Sequence, residues 1–173
     1  AMIGDQQAAA IGQNCIKPGD IKATFGTGCF ILSNTGDIAI TSKHKLLSTI
    51  AFKINNKTSY ALEGSIFISG ASIKWLKDEL GLIKNVNDSQ SLASSIKDNN
   101  GVYFVPAFTG LGAPHWRPDA RGTIVGLTAS SGKAEIVRAS LEAVAYQSVD
   151  LFDAMTLDGQ KPNILRVDGA MSN

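Results

Sequence analysis

Apolar and polar positions divide the chain into short extended runs, two long helical ones and turns rich in Gly and Asn. A short helix is predicted from Gln6 to Gln13, with Asp5 placed to cap it. Lys22 to Phe25 and Cys29 to Ser33 flank Gly26-Thr27-Gly28 and read as a hairpin. Asn34-Thr35-Gly36-Asp37 reads as a second turn. Leu47 to Ile54 and Ser59 to Leu62 predict further strands, separated by Asn55-Asn56-Lys57. Ile66, Ile73, Leu76 and Leu80 recur near helical period, which predicts a helix over 66–80 ended by Gly81.

The polar stretch from Asn85 to Asn100 predicts a loop with a short helix, and Val102 to Val105 a buried strand. Gly110, Gly112, Pro114 and Pro118 make Thr109 to Arg121 an irregular loop. The longest helix is predicted over Lys133 to Thr156. Val137, Leu141, Val144, Ala145, Phe152 and Met155 form its apolar stripe, and Ser131 is its expected cap. Ile164 to Val167 is a closing strand that runs into Asp168-Gly169. Strands first, then alternating helix and strand, predict a mixed α/β layer structure. The chain starts at Ala1 and ends in a strand entering a glycine turn. Both ends are therefore expected to be cuts through a larger protein.

Composition narrows the function classes. The 173 residues suit one domain, and 44% apolar content excludes wholesale disorder. Sixteen Lys and Arg against fifteen Asp and Glu leave a net charge of +1, which gives no electrostatic case for nucleic acid or an anionic membrane. Cys15 and Cys29 are too few for a disulfide scaffold, and with two scattered His they make no zinc site. No apolar run reaches the roughly 18 residues of a membrane span. No secretory leader is legible, and a cytoplasmic setting is the expectation.

Candidate chemistry sits in four places. In Gly4-Asp5-Gln6-Gln7, Asp5 reads either as a helix cap or as a base toward an alcohol, and Gln6 as a donor and acceptor for a polyol hydroxyl. In Gly26-Thr27-Gly28 the glycines either make a plain turn or let the backbone approach a bulky anion, with the Thr27 hydroxyl as an added donor. Gly70 lies inside the predicted helix, where glycine costs about 1 kcal/mol relative to Ala. Lys74 shares its face, so either a flat ligand or close helix packing offsets that cost. Asp168-Gly169 at a strand end suits a nucleotide-side turn or an ordinary exit. In the 109–121 loop, His115 reads as a packed or surface side chain, and Arg121 is expected to pair with a carboxylate. Glu142 is expected to pair structurally.

Taken together, these segments resemble the FGGY family of carbohydrate kinases. The resemblance rests on Gly4-Asp5-Gln6-Gln7-Ala8-Ala9, Phe25-Gly26-Thr27-Gly28-Cys29-Phe30, Leu62-Glu63-Gly64-Ser65-Ile66-Phe67 and the run Pro106 to Pro114 with Ala120-Arg121-Gly122. The stretch from Gly122 through Glu142 matches the family's C-terminal signature. The paired Gln after Asp5 and the glycines flanking Thr27 favour members that phosphorylate glycerol over those acting on xylulose, ribulose or gluconate.

The resemblance implies an actin-like, ribonuclease-H-like α/β fold, incomplete at both ends. Residues 1–19 would end an N-terminal domain, and residues 20–173 would form a truncated C-terminal, nucleotide-side domain. It implies ATP with Mg²⁺, glycerol as acceptor, and a homo-oligomer at full length, with no nucleic acid and no membrane insertion. By position, Asp5 matches the family's base and Gln6 a glycerol contact. Gly26 and Thr27 match the phosphate contact, and Gly70, Lys74 and Ala170 the nucleoside side. Three positions depart from the pattern. Lys74 stands where the family more often has Gln, Ala170 where it has a second Gly, and Arg117 where an acid is common. Asn173 is assigned no role. The alternatives are another FGGY sugar kinase and a non-catalytic, actin-like nucleotide-binding scaffold.

Overall fold

A computed structural model of the chain describes residues 3–172. Its centre is a five-stranded mixed sheet. In chain order the strands are β1 (Asp20–Phe25), β2 (Cys29–Gly36), β3 (Leu47–Ile54), β4 (Lys57–Ile66) and, much later, a closing strand, Ile164–Asp168. The spatial order is β3-β4-β2-β1 and then the closing strand. The first four strands pair antiparallel, and the closing strand lies parallel to β1 with Thr24 opposite Asp168.

Helices cover both faces. Helix α1 (Asp5–Gly12) lies on one face, where Ala10 and Cys15 pack with Leu32, Ala51 and Ala61. After β4 come α2 (Gly70–Asp78), α3 (Asp88–Ser94), the small pair β5 (Tyr103–Val105) and β6 (Thr123–Val125), and the long helix α4 (Lys133–Leu157). The closing strand is therefore β7. Leu151, Ala154 and Met155 of α4 pack on Ile21, Ala23, Ile31, Leu62 and Ile66 on the other face. Each large side chain fully buried there contributes about 1.5–3 kcal/mol. Both cysteines are free and buried.

Several predicted boundaries shift. Asn34-Thr35 is strand, not turn, and the chain turns only at Gly36, with φ +73°. Asn34 is buried but satisfied: its amide donates to the Cys15 carbonyl at 3.2 Å and its oxygen accepts from the Ser59 hydroxyl at 2.9 Å. Strand β4 runs on to Ile66 because its ladder with β2 continues to the Ile66–Cys29 pair. The helix predicted from Ile66 therefore starts at Gly70. The predicted strand 102–105 is only half-buried, with Tyr103 and Val105 exposed and Phe104 inside. Its partner β6, the β-branched Thr123-Ile124-Val125, was not among the predicted strands.

Helix starts differ too. Gly4, not Asp5, holds the N-cap position of α1; Asp5 is the first helical residue and its Oδ1 accepts the Gln6 amide hydrogen at 2.8 Å. At α4 the N-cap position is Gly132, whose amide donates to Glu135 at 2.9 Å, and Ser131 instead accepts from the Thr128 amide. The buried stripe of α4 also differs from the predicted one. Ala145 faces solvent, and small residues such as Ala139, Ser140 and Ala143 are buried.

At the C-terminal end of α4, the Asp158 carboxylate is almost fully buried and ties the helix to the β2–β3 connection. It accepts from the Ser42 hydroxyl, from the Lys43 amide at 2.9 Å and from His44 Nδ1 at 2.8 Å. Burial alone would raise its pKa, but the Ser42, His44 and Lys43 bonds hold it below the ordinary carboxylate value. A depressed folded-state pKa means stability that is present above the unfolded value near 3.8 and lost as pH falls through the folded one. Asp158→Ala is expected to cost about 2–4 kcal/mol at pH 7, since three donors lose a charged acceptor. In urea unfolding, the gap from wild type should shrink below pH 4. A pH-independent gap would overturn this assignment.

Candidate functional site

The β1–β2 turn docks on the start of α2. The amides of Ser69 and Ala71 donate to the Thr27 carbonyl at 2.9 and 3.1 Å, and the Gly70 amide donates to the Gly26 carbonyl at 2.9 Å. This approach explains Gly70. It is the first helical residue rather than an interior one, so no mid-helix penalty needs offsetting. A Cβ there would stand 2.7 Å from the Gly26 oxygen and 3.0 Å from Met171 Sδ. The two glycines of the turn have different reasons. A Cβ on Gly28 would meet the Ile66 carbonyl at 2.7 Å, whereas one on Gly26 would make only an ordinary contact with the Gly28 carbonyl at 3.8 Å. The Thr27 hydroxyl and the Thr27 and Gly28 amides find no acceptor among the described residues.

These elements border a cavity of about 1160 Å³ at the C-terminal end of β1 and β7. Gly26 and Thr27 line it from the turn, Gly70 and Lys74 from α2, and Ala170 and Met171 from the chain after β7. Trp75, Leu141 and the α3 side, with Asn87 and Gln90, complete the wall. Five sequence-predicted residues (Gly26, Thr27, Gly70, Lys74 and Ala170) thus meet around one space. Lys74 is exposed and has no carboxylate within ion-pairing distance among the described residues; Asp78 of the same helix pairs with Lys77 at 2.7 Å. The Ala170 methyl is exposed on the cavity side. Asn173 lies outside the described residues.

Asp5 and Gln6 do not line this cavity. They stand at the start of α1, on the opposite side of β1 from α4. Lys22, fully buried on β1, reaches them: its Nζ donates to Gln6 Oε1 and, at 3.5 Å, to the Phe30 carbonyl. Burial pulls the Lys22 pKa down, against the opposing influence of Asp168, Cys29, Glu63 and Asp5. Burial likewise raises Glu63, with Lys22 opposing, and pushes the Cys29 thiol up to about 12, which keeps it protonated. Asp168 accepts from the Gln13 amide at 2.8 Å on this same face. Strand β1 therefore carries the Gln6 anchor at its middle and the cavity turn at its end. The five residue steps from Lys22 to Thr27 span at most about 17 Å.

Other candidates are structural. His115 pairs with Asp150 at 2.9 Å on the surface, and Glu142 pairs with Arg138 at 2.7 Å, as expected. Among the described residues Arg121 does not pair with a carboxylate; it donates to the Pro118 and Ala120 carbonyls at 2.9 and 2.7 Å. Arg117 makes the ion pair instead, with Asp119. Lys22 was missed by sequence reasoning. Its strand, Asp20–Phe25, alternates polar and apolar residues, a pattern in which a lysine reads as solvent-facing.

The mixed sheet with helices on both faces and a ligand-sized cavity beyond its strand ends is an actin-like α/β architecture, the one shared by the solved structures it superposes on. Residues 21–173 match the C-terminal domain of the FGGY family of carbohydrate kinases, and the chain belongs to that family. It is 61% identical over 172 residues to the glycerol kinase of Coxiella burnetii (strain Dugway 5J108-111), covering 99% of this chain and 34% of that protein. It is 56% identical to the glycerol kinase of Rhodospirillum centenum, with 98% and 34% covered. Among solved structures, Plasmodium falciparum glycerol kinase with ADP superposes with a TM-score of 0.90 at 43% identity, covering 98% of this chain and 34% of that one. The xylulose kinase of Rhodospirillum rubrum, 24% identical with a TM-score of 0.82, shares the fold. The chain spans about a third of the length of the relatives it matches.

Proposed function

We propose that the chain is part of an ATP-dependent kinase that phosphorylates a terminal hydroxyl of glycerol, giving sn-glycerol 3-phosphate and ADP. The observation that carries this reading is the meeting of Gly26, Thr27, Gly70, Lys74 and Ala170 around one cavity. Two features support it further: the Asp5-Gln6 pair, with Gln6 anchored to Lys22 at the middle of β1, and relatives named as glycerol kinases. Residues 1–19 then end the N-terminal domain, and residues 20–173 belong to the C-terminal, nucleotide-side domain.

In this reading the free Thr27 hydroxyl and the turn amides hold phosphate oxygens, and the open backbone at Gly26 lets them approach. Gly70, Lys74 and Ala170 border the nucleoside. Asp5 accepts the proton of the attacking hydroxyl while Gln6 holds the polyol. Phosphoryl transfer has a loose transition state, so positioning supplies most of the rate. Among the described residues, no group of three or more His, Cys, Asp or Glu is arranged to hold a metal ion. A Mg²⁺ carried on the nucleotide's phosphates keeps most of its waters and needs no such cage. Its chemistry is charge neutralisation on the phosphates.

Among the described residues no helix is long and apolar enough to cross a membrane. The full-length protein is read as a cytoplasmic homo-oligomer with no nucleic-acid partner.

ADP release with MgATP tests the proposal. The full-length kinase should turn over glycerol in preference to xylulose or ribulose, and residues 1–173 alone should not turn over glycerol, because the rest of the cleft is supplied by other residues. Preference for a pentulose, or full-length rates from the isolated chain, would overturn it.

A further inference from the structure

Lys22 is the largest side chain in the fold with essentially no solvent exposure. Lysine is almost never so buried without a partner that uses its charge. Here one partner is Gln6 Oε1 and another the Phe30 carbonyl at 3.5 Å. An ammonium has three donors and no acceptor. It can therefore hold only the oxygen of the Gln6 amide, since the flipped amide would set NH₂ against NH₃⁺. Gln6 Nε2 is thereby turned the other way. It has no acceptor among the described residues, and Gln6 is only half-buried, so that donor is open to a ligand. Next to it in the chain, Asp5 spends Oδ1 on the Gln6 amide hydrogen at 2.8 Å and leaves Oδ2 without a partner among the described residues.

We propose that Lys22 is a positioning residue that fixes the Gln6 side chain as a pure donor beside the Asp5 acceptor. The inference rests on the glycerol-kinase reading and sharpens it. The helix start then presents one acceptor and one donor side by side. A hydroxyl group, which both donates and accepts, satisfies the two together: its proton goes to Asp5 and a lone pair receives the Gln6 NH₂. Gln6 does not accept from the polyol, because its oxygen is already spent.

Three variants of the full-length kinase test this. Gln6→Met should raise the KM for glycerol about tenfold or more. Lys22→Met should raise it similarly while leaving the Kd for ADP unchanged, because Lys22 does not line the nucleotide cavity. The double variant should be no worse than Gln6→Met alone, a non-additivity that a merely structural lysine would not produce. Gln6→Glu guards against a misfolded Lys22 variant. It keeps an oxygen on the ammonium but puts a carboxylate oxygen, an acceptor, where the NH₂ donor stood, so it should lose glycerol affinity at least as much as Gln6→Met. A wild-type KM in Lys22→Met or Gln6→Glu, beside a raised KM in Gln6→Met, or additive losses in the double variant, overturns the Lys22 assignment alone. A wild-type KM in Gln6→Met overturns both that assignment and the glycerol contact beneath it.

Discussion

Asp5→Asn in the full-length kinase is expected to lower kcat for glycerol by about 10²–10⁴-fold, the range for losing a positioned proton acceptor. Binding of ADP should not change. The two halves of this expectation come from different parts of the structure. Asparagine has the shape of aspartate and keeps an Oδ1 that can accept the Gln6 amide hydrogen, now at 2.8 Å. The α1 start therefore survives the change, and lost activity cannot be charged to a lost helix. The cavity proposed for the nucleotide is lined by the β1–β2 turn, α2, the α3 side and the segment after β7, and Asp5 is not among its lining residues. Calorimetry with ADP and steady-state ADP release with glycerol separate the two. A variant that turns over at near wild-type rate would reduce Asp5 to the first residue of a helix.

Much of this arrangement was legible before any coordinates, and the exceptions have physical reasons. Strands β1 to β4 were located because their apolar residues cluster between Gly- and Asn-rich turns. Asn55 and Asn56, both at positive φ, form the tight turn between β3 and β4 that their residue type favours. The end of β2 was lost because Asn34, Thr35 and Gly36 look like a turn. Nothing local says that Asn34 finds its partners on Cys15 and Ser59, 19 and 25 residues away. The start of α2 was misplaced because a single apolar residue, Ile66, serves a helical period and a strand alike; its pairing with Cys29 decides it.

The residues that meet around the cavity stood out in the sequence because each carries a mark of its own: glycines flanking a threonine, a glycine before a lysine, a strand ending in Asp-Gly. Lys22 carries no such mark. A lysine in a strand ordinarily reads as solvent-facing, and only the fold brings α1 over it.

Gly169→Ala is expected to be the most damaging single-methyl change near the site. Gly169 has φ +99°, and a Cβ there would lie 2.2 Å from the Phe25 carbonyl oxygen, 2.6 Å from its carbon and 2.8 Å from its nitrogen. All three are backbone atoms at the end of β1, held by the pairing of Thr24 with Asp168, and the Met171 amide donates to that same oxygen at 3.1 Å. No side chain can swing aside to make room. The left-handed backbone costs an L-residue about 1–2 kcal/mol, and forcing a methyl into packed backbone adds about 1–3. Gly159 is an internal control. It has φ +86° but open space where its Cβ would be, so Gly159→Ala should show the conformational cost alone. The difference between the two variants in urea unfolding isolates the contact with β1. The same displacement should reach function, because the turn at Gly169 carries Ala170 and Met171 to the cavity wall, where Met171 touches the Gly70 position. ADP should bind Gly169→Ala at least about tenfold more weakly and Gly159→Ala normally. Equal unfolding midpoints and equal ADP affinities in the two variants would mean that the close approach of β7's exit to β1 does not shape the nucleotide side at all.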